Sequence, residues 1–163
     1  MARKTFFSFH YENDVWRANI VRNSWITKPN TQDAGFIDAA AFEEVKKGGD
    51  ISIKRWIDDQ LYGTTVTVVL IGSDTSNRDY IKYELQKSYI RGNGLIGIYV
   101  NKIRDKNGNQ SLKGSNHFGE IGKDTQGNSV YFSINYPTYD WVDNDGYNNL
   151  GRWIEEAAKK AGK

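Results

Sequence analysis

The sequence predicts an α/β fold of three layers, in which a central, mostly parallel five-stranded sheet is covered by helices on both faces. Three observations carry that expectation. Short β-branched or aromatic runs alternate with segments of helical period along the chain. The run Thr64 to Ile71 is nearly continuous in apolar character at its end, the mark of a strand buried on both faces. The spacing between runs leaves room for the crossover connections that parallel neighbours require. At 163 residues the chain is expected to form one domain over 1–163, with a long surface excursion near 101–128.

Phe6, Phe7 and Phe9 predict a first buried strand. The polar stretch His10 to Asp14 reads as a loop leading into a helix through Val15, Trp16, Ala18, Ile20 and Val21. Ser24 to Asp33 contains Lys28-Pro29-Asn30 and reads as loop. Gly35-Phe36-Ile37-Asp38 suggests a second strand, and Ala39 to Lys47 a brief helical turn closed by Gly48-Gly49. Asp50 is the expected N-cap of a helix over Ile51 to Leu61, with Ile53, Trp56, Ile57 and Leu61 on one stripe and Gly63 as the stop. The strand Thr64 to Ile71 follows. Ser76 and Asp79 have the spacing of a capping box, which would open a helix carrying Glu84 about two turns in. Leu95 to Val100 is a fourth strand, Val130 to Ile134 a fifth, and Asp145 to Ala161 an amphipathic helix through Leu150, Trp153, Ile154 and Ala157. Between the last two strands the Gly-, Asn-, Lys- and Asp-rich stretch is read without regular structure.

Composition narrows the function. With 26% charged and 38% hydrophobic residues the chain is a folded, polar-surfaced globule. Lys and Arg number 22 against 20 Asp and Glu, spread along the chain, which gives no footprint for nucleic acid. With no cysteine, thiolate chemistry and disulfides are excluded. Only two histidines, His10 and His117, remain for a metal, so no metal site is expected. No apolar run reaches membrane-spanning length and no secretory leader is legible, so a cytoplasmic protein without membrane contact is expected. P-loop, dinucleotide-fingerprint and nucleophile-elbow motifs are all missing. Trp16, Trp25 and Trp56 read as core or interface aromatics.

What remains is a carboxylate in an odd place. With Ile81 at the centre of the buried face, the helical step sets Leu85 about 40° to one side, Ser88 about 20° to the other and Glu84 about 60° away. Glu84 is thus aimed at the edge of the core although Lys82, Tyr83 and Gln86 offered solvent-facing positions. In a sheet of 2-1-3-4-5 order, ligands bind beyond the carboxyl ends of strands one and three. The first of these exits carries Ser8, Phe9, His10 and Tyr11, and the third Ser73 and Asp74. Each residue also has a plainer reading: helix glutamates are usually solvated charges, His10 could be a bonded loop residue, and Asp38 could cap the segment after it.

Phe6-Phe7-Ser8-Phe9-His10-Tyr11, Val68-Val69-Leu70-Ile71-Gly72-Ser73, Tyr83-Glu84-Leu85 and Tyr139-Asp140-Trp141-Val142, in this order and spacing, resemble the TIR-like proteins of the bacterial Thoeris anti-phage system. The resemblance implies a flavodoxin-like, TIR-like sheet and an enzyme that consumes NAD⁺ as substrate, without a resident cofactor. It implies that Glu84 is catalytic, with Phe9, His10, Tyr11, Asp38, Ser73 and Asp74 about the substrate. The product would be an ADP-ribose-derived signal, often cyclic, that activates a separate effector protein after a phage-derived trigger; self-association is a further expectation. A non-catalytic interaction module is the alternative, and a flavin- or nucleotide-binding flavodoxin-like protein a third reading.

Overall fold

The computed structural model describes residues 3–26, 31–34 and 44–163, with backbone alone for Ile26 and 31–34. Five strands form one sheet: β1 (Arg3–Ser8), β2 (Thr31–Ala34), β3 (Val66–Ile71), β4 (Gly94–Tyr99) and, at the far edge, β7 (Thr138–Asp140). Their order is β2-β1-β3-β4-β7, and all four pairings are parallel. This is the expected 2-1-3-4-5 arrangement. A separate antiparallel pair, β5 (Glu120–Lys123) and β6 (Ser129–Tyr131), lies outside it.

The period of two in β3 divides the interior into two cores. Val66, Val68 and Leu70 enter the cluster with Trp25, Leu150, Trp153 and Ile154, from helices α1 (Tyr11–Ile26) and α5 (Gly146–Lys160). Val69 and Ile71 point the other way, toward Ile81 and Leu85 of α3 (Ile81–Ile90) and Ile121, Val130 and Phe132 of the hairpin region. A third, smaller cluster sets Phe6 of β1 against Ile57 and Leu61 of α2 (Gly49–Leu61). Burial on both faces is why β3 reads as an unbroken apolar run. Tyr139 lies flat on Trp153 at 4.1 Å, which ties the three-residue edge strand to α5.

Several expected boundaries move. His10 to Asp14 is not a loop, because α1 begins at Tyr11 with Glu12 and Asp14 in its first turn, where acids suit the helix dipole. The second strand is Thr31–Ala34, and its first three residues fall in the stretch read as loop. Its polar residues gave no apolar signal, and backbone pairing in register with Arg3 to Phe6 holds it. The expected strand at 35–38, including Asp38, and the start of the turn at 39–43 lie outside the described residues; 44–47 are helical.

Asp50 is not the N-cap of α2. Gly48 holds that position with no side-chain cap, and Asp50, within the first turn, accepts a hydrogen bond from the Tyr80 hydroxyl at 2.7 Å. The Ser76–Asp79 capping box does not form either. Thr75–Asn77 is a short 3₁₀ turn and α3 starts only at Ile81, with Tyr80 before it, so Glu84 stands in the first turn rather than two turns in. The excursion carries β5, and Val130 to Ile134 is no fifth strand of the main sheet: β6 ends at Tyr131 and a helical turn, α4 (Phe132–Asn135), follows. Trp25 is buried and Trp56 half-buried, whereas Trp16 is 48% exposed and is not a core residue.

Candidate active site

Ser8 is the last residue of β1, and alternation gives it the same face as Phe6, toward α2 and α3. Glu84 descends onto that face from α3. The buried stripe Ile81, Glu84, Leu85 and Ser88 is the one the helical step predicts. A polar ladder fixes it: the Ser88 hydroxyl donates to the Glu84 carbonyl at 2.8 Å and meets the Thr67 hydroxyl of β3 at 2.7 Å. Asn93 donates to Thr64 at 2.9 Å and to Thr67 at 3.3 Å. Buried polar groups partnered in this way fix the rotation and height of α3 against the sheet.

The Glu84 side chain, 2% exposed for the residue as a whole, has two partners. The Ser8 hydroxyl donates to Oε2. Arg78 clasps the carboxylate with both arms, Nη2 to Oε1 at 2.7 Å and Nη1 to Oε2 at 3.0 Å, while Nη1 also reaches Ser8 Oγ at 2.9 Å. A buried charge requires such a partner, and the planar guanidinium meets a carboxylate in this two-point geometry. Arg78 itself is more open, with 17% of its side chain exposed.

A cleft of about 410 Å³ opens over this group, lined by His10, Tyr11 and Glu12 at the start of α1, by Asp50, Ile53 and Trp56 of α2, by Asn77, Arg78, Asp79 and Tyr80, and by Glu84. It sits beyond the carboxyl end of β1, where strand order reverses between β1 and β3. Among the described residues its carboxylates are Glu12, Asp50, Asp79 and Glu84, of which only Glu84 is buried, and its side-chain cations are Arg78 and Lys46. Lys46 is paired with Glu12 at 3.0 Å, a contact that holds the Glu12 carboxyl below its ordinary range. The Asp50 bond lifts the Tyr80 hydroxyl, and burial, then the bond to Asp58, pushes Tyr83 up to about 12. Both phenols are therefore neutral donors at neutral pH. A roomier hollow, about 480 Å³, lies at the opposite, amino-terminal end of β4 and lacks Glu84. Among the described residues no group of three or more His, Asp or Glu is placed to hold a metal ion.

The expected site residues divide. Glu84, His10 and Tyr11 share the cleft. Phe9 does not line it: its ring is buried in the core on the α1 face, 6.3 Å from that of Tyr11. Ser73 is exposed and Asp74 half-exposed, both outside the cleft, though an Asp74 oxygen lies 3.7 Å from His10 Nε2. Asp38 lies outside the described residues. Sequence reasoning missed Arg78, Tyr80 and Trp56 as parts of the site. The only available signal for Arg78 was indirect, since a carboxylate aimed at a core calls for a cation within reach.

The profile of the family described as "Thoeris protein ThsB, TIR-like domain" matches residues 6–105, a span that includes Ser8, Arg78 and Glu84. A protein of Bacillus cereus (strain MSX-D12), named "Putative cyclic ADP-D-ribose synthase ThsB1", is 38% identical, with the alignment covering 94% of this chain and 100% of that protein.

Proposed function

Because the chain belongs to the family of Thoeris ThsB proteins with a TIR-like domain, we propose that it cleaves NAD⁺ at the nicotinamide–ribose bond and forms a cyclic ADP-ribose as an anti-phage signal. The observation that carries this reading is the Glu84 carboxylate, buried at the carboxyl end of β1 beside a cleft and held by Ser8 and Arg78.

The chemistry suits one carboxylate. Most glycosidases protonate a leaving alkoxide and so need a second acid. Nicotinamide is already cationic at its ring nitrogen: when the C1′–N bond breaks, the electron pair stays on that nitrogen and a neutral molecule departs. The positive charge left on the ribose is what Glu84 stabilises, by proximity and by accepting hydrogen bonds from the ribose hydroxyls. Cyclisation follows when a nucleophile at the adenosine end of the same molecule attacks C1′ and that end gives up a proton to solvent, so that NAD⁺ yields nicotinamide, a cyclic ADP-ribose and a proton. Hydrolysis is the competing outcome, so the pocket must fold the adenine back and exclude water. His10, Tyr11, Trp56 and Tyr80 are the side chains placed to shape it. Asp38, Ser73 and Asp74 are further candidates for contact with the substrate. NAD⁺ serves as substrate and no cofactor is required. The product acts on a separate effector, and a phage-derived trigger releases the activity.

Glu84→Gln keeps the shape and removes the charge. Nicotinamide release falls by about a hundredfold or more in this variant, and the cyclic product disappears from extracts of phage-challenged cells carrying it. Equal turnover by wild type and variant removes Glu84 from its role. A non-catalytic interaction module is the second reading, favoured by Trp16 and Ile20, both exposed and one turn apart on α1. It requires self-association or partner capture with no nicotinamide released even in challenged cells.

A further inference from the structure

We propose that Arg78 is the diphosphate-binding residue of the site, and that it reaches the substrate by letting go of Glu84. The inference rests on the proposed function for the choice of ligand, and on geometry for the exchange. In the structure both arms of Arg78 are spent on Glu84, and one of them also on Ser8. In that state the carboxylate is neutralised by a protein cation, and a ribosyl cation cannot take the same face of it.

Substrate resolves this conflict through its own charges. NAD⁺ carries a positive nicotinamide ribose and an anionic diphosphate esterified to the same ribose, one exocyclic carbon beyond the ring. Among the described residues the cleft is lined by four carboxylates, a field that favours the nicotinamide end and repels the diphosphate. The two cations among these lining residues are unequal. Lys46 is an exposed partner of Glu12, whereas Arg78 stands next to the reacting centre, half-open on the cleft, on a turn between the 3₁₀ segment and α3 rather than within a helix. A guanidinium pairs with phosphate oxygens in the same forked geometry as with a carboxylate. When it turns from Glu84 to the diphosphate, Glu84 receives the ribosyl cation in its place. One ion pair, Arg78 with Glu84, gives way to two, Arg78 with the diphosphate and Glu84 with the ribosyl cation, so neither Glu84 nor Arg78 is left buried without a partner, the outcome that would otherwise be costly. Arg78 is accordingly both a latch on the empty site and a determinant of selectivity for nicotinamide nucleotides bearing a diphosphate.

The test is a binding series with ADP-ribose, which has the diphosphate but no nicotinamide cation, and adenosine as the phosphate-free control, measured by titration calorimetry on the full chain. Arg78→Gln weakens ADP-ribose binding by about tenfold or more, the worth of at least one charge-assisted hydrogen bond. Glu84→Gln tightens it, because the competing carboxylate is gone, and adenosine binds all variants alike. Arg78→Lys, which keeps the charge and loses the fork, falls between wild type and Arg78→Gln. Circular dichroism establishes that each variant is folded; should Arg78→Gln fail to fold, the tightening in Glu84→Gln decides by itself. Unchanged or weaker ADP-ribose binding in Glu84→Gln, including none in either protein, overturns the proposal, as does unchanged binding in Arg78→Gln. Because no turnover is read, these outcomes are separate from loss of nicotinamide release, which tests the proposed function.

Discussion

Two buried acids, 70 residues apart in sequence, show what decides whether a charge inside the protein is tolerated. Glu84 has three hydrogen bonds from two partners. Among the described residues Asp14, 1% exposed, has a single long contact, Oδ1 at 3.5 Å from Arg17 Nη1, and no hydrogen-bond partner for Oδ2. Burial accordingly raises the Asp14 carboxyl above its ordinary value, with Arg17 and then His10 opposing the rise. The sign follows from linkage. Below the ordinary aspartate range near 4, Asp14 is protonated in both folded and unfolded chains and burial of its charge costs nothing. As pH rises, the unfolded chain ionises first, so stability from this group is lost up to the raised folded value. Asp14→Asn has no such slope. Melting temperatures measured from pH 4 to 7 should move in favour of Asp14→Asn, relative to wild type, as pH increases; a gap that stays constant or widens the other way rejects this account of Asp14. At this scale the inward aim of Glu84 was legible, because helical period is set by backbone geometry. Its partner was not, because Arg78 lies in a turn six residues earlier and reaches by side-chain length alone, which leaves no periodic trace.

Elements were legible where burial was continuous and obscure where backbone pairing did the holding. β3 and β4 showed themselves because both their faces are covered. β2 and β7, the two edges, are short and polar or mixed in sequence, and register with a neighbour maintains them. The start of α3 is obscured because Ser76 and Asp79 carry the spacing of a cap while the chain makes a 3₁₀ turn there. Packing between elements has its own sharp requirement at Gly94, the first residue of β4. A Cβ there would lie 2.4 Å from the Ala157 carbonyl oxygen and 3.1 Å from the Ala157 Cβ, and neither can yield without α5 being lifted from the sheet. Gly94→Ala should therefore destabilise the fold by about 1–3 kcal/mol, the usual cost of overpacking, read as a lower urea midpoint at unchanged slope. A midpoint equal to wild type would show that α5 does not sit against β4 as closely as described.

At the scale of the molecule, the catalytic candidate lies beyond the carboxyl end of β1, while the long excursion runs from the ends of β3 and β4 to the flank of α3, where Phe118 and Ile121 pack with Ile81 and Leu85. The stretch after β4 turns back over the ends of β3 and β4, so closely that a Cβ on Gly114 would fall 1.9 Å from the Gly72 carbonyl oxygen. Lys113 lies over the Tyr99 ring at 4.4 Å, and Asp105 closes a tight turn by accepting the amides of Asn107 and Asn109, bonds that hold its carboxyl below the ordinary range. Composition disclosed the turns but not their attachment. The attachment is Arg17 of α1, whose Nε donates to the Ile103 carbonyl at 2.7 Å and Nη2 to that of Asn109 at 3.0 Å. Removing Arg17 alone would strand the Asp14 charge and confuse loss of the tether with a buried unpaired acid, so the informative variant is Asp14→Asn with Arg17→Met. With both charges gone, amides over 101–111 should exchange with solvent about tenfold faster, since two hydrogen bonds to a charged donor are lost there, while those of β3 and β4 keep their protection. Exchange that stays slow in the excursion would mean that Ile103 in the core and the Gly114–Gly72 contact hold it without the tether; acceleration throughout the sheet would mean that Arg17 supports the whole fold rather than this one segment.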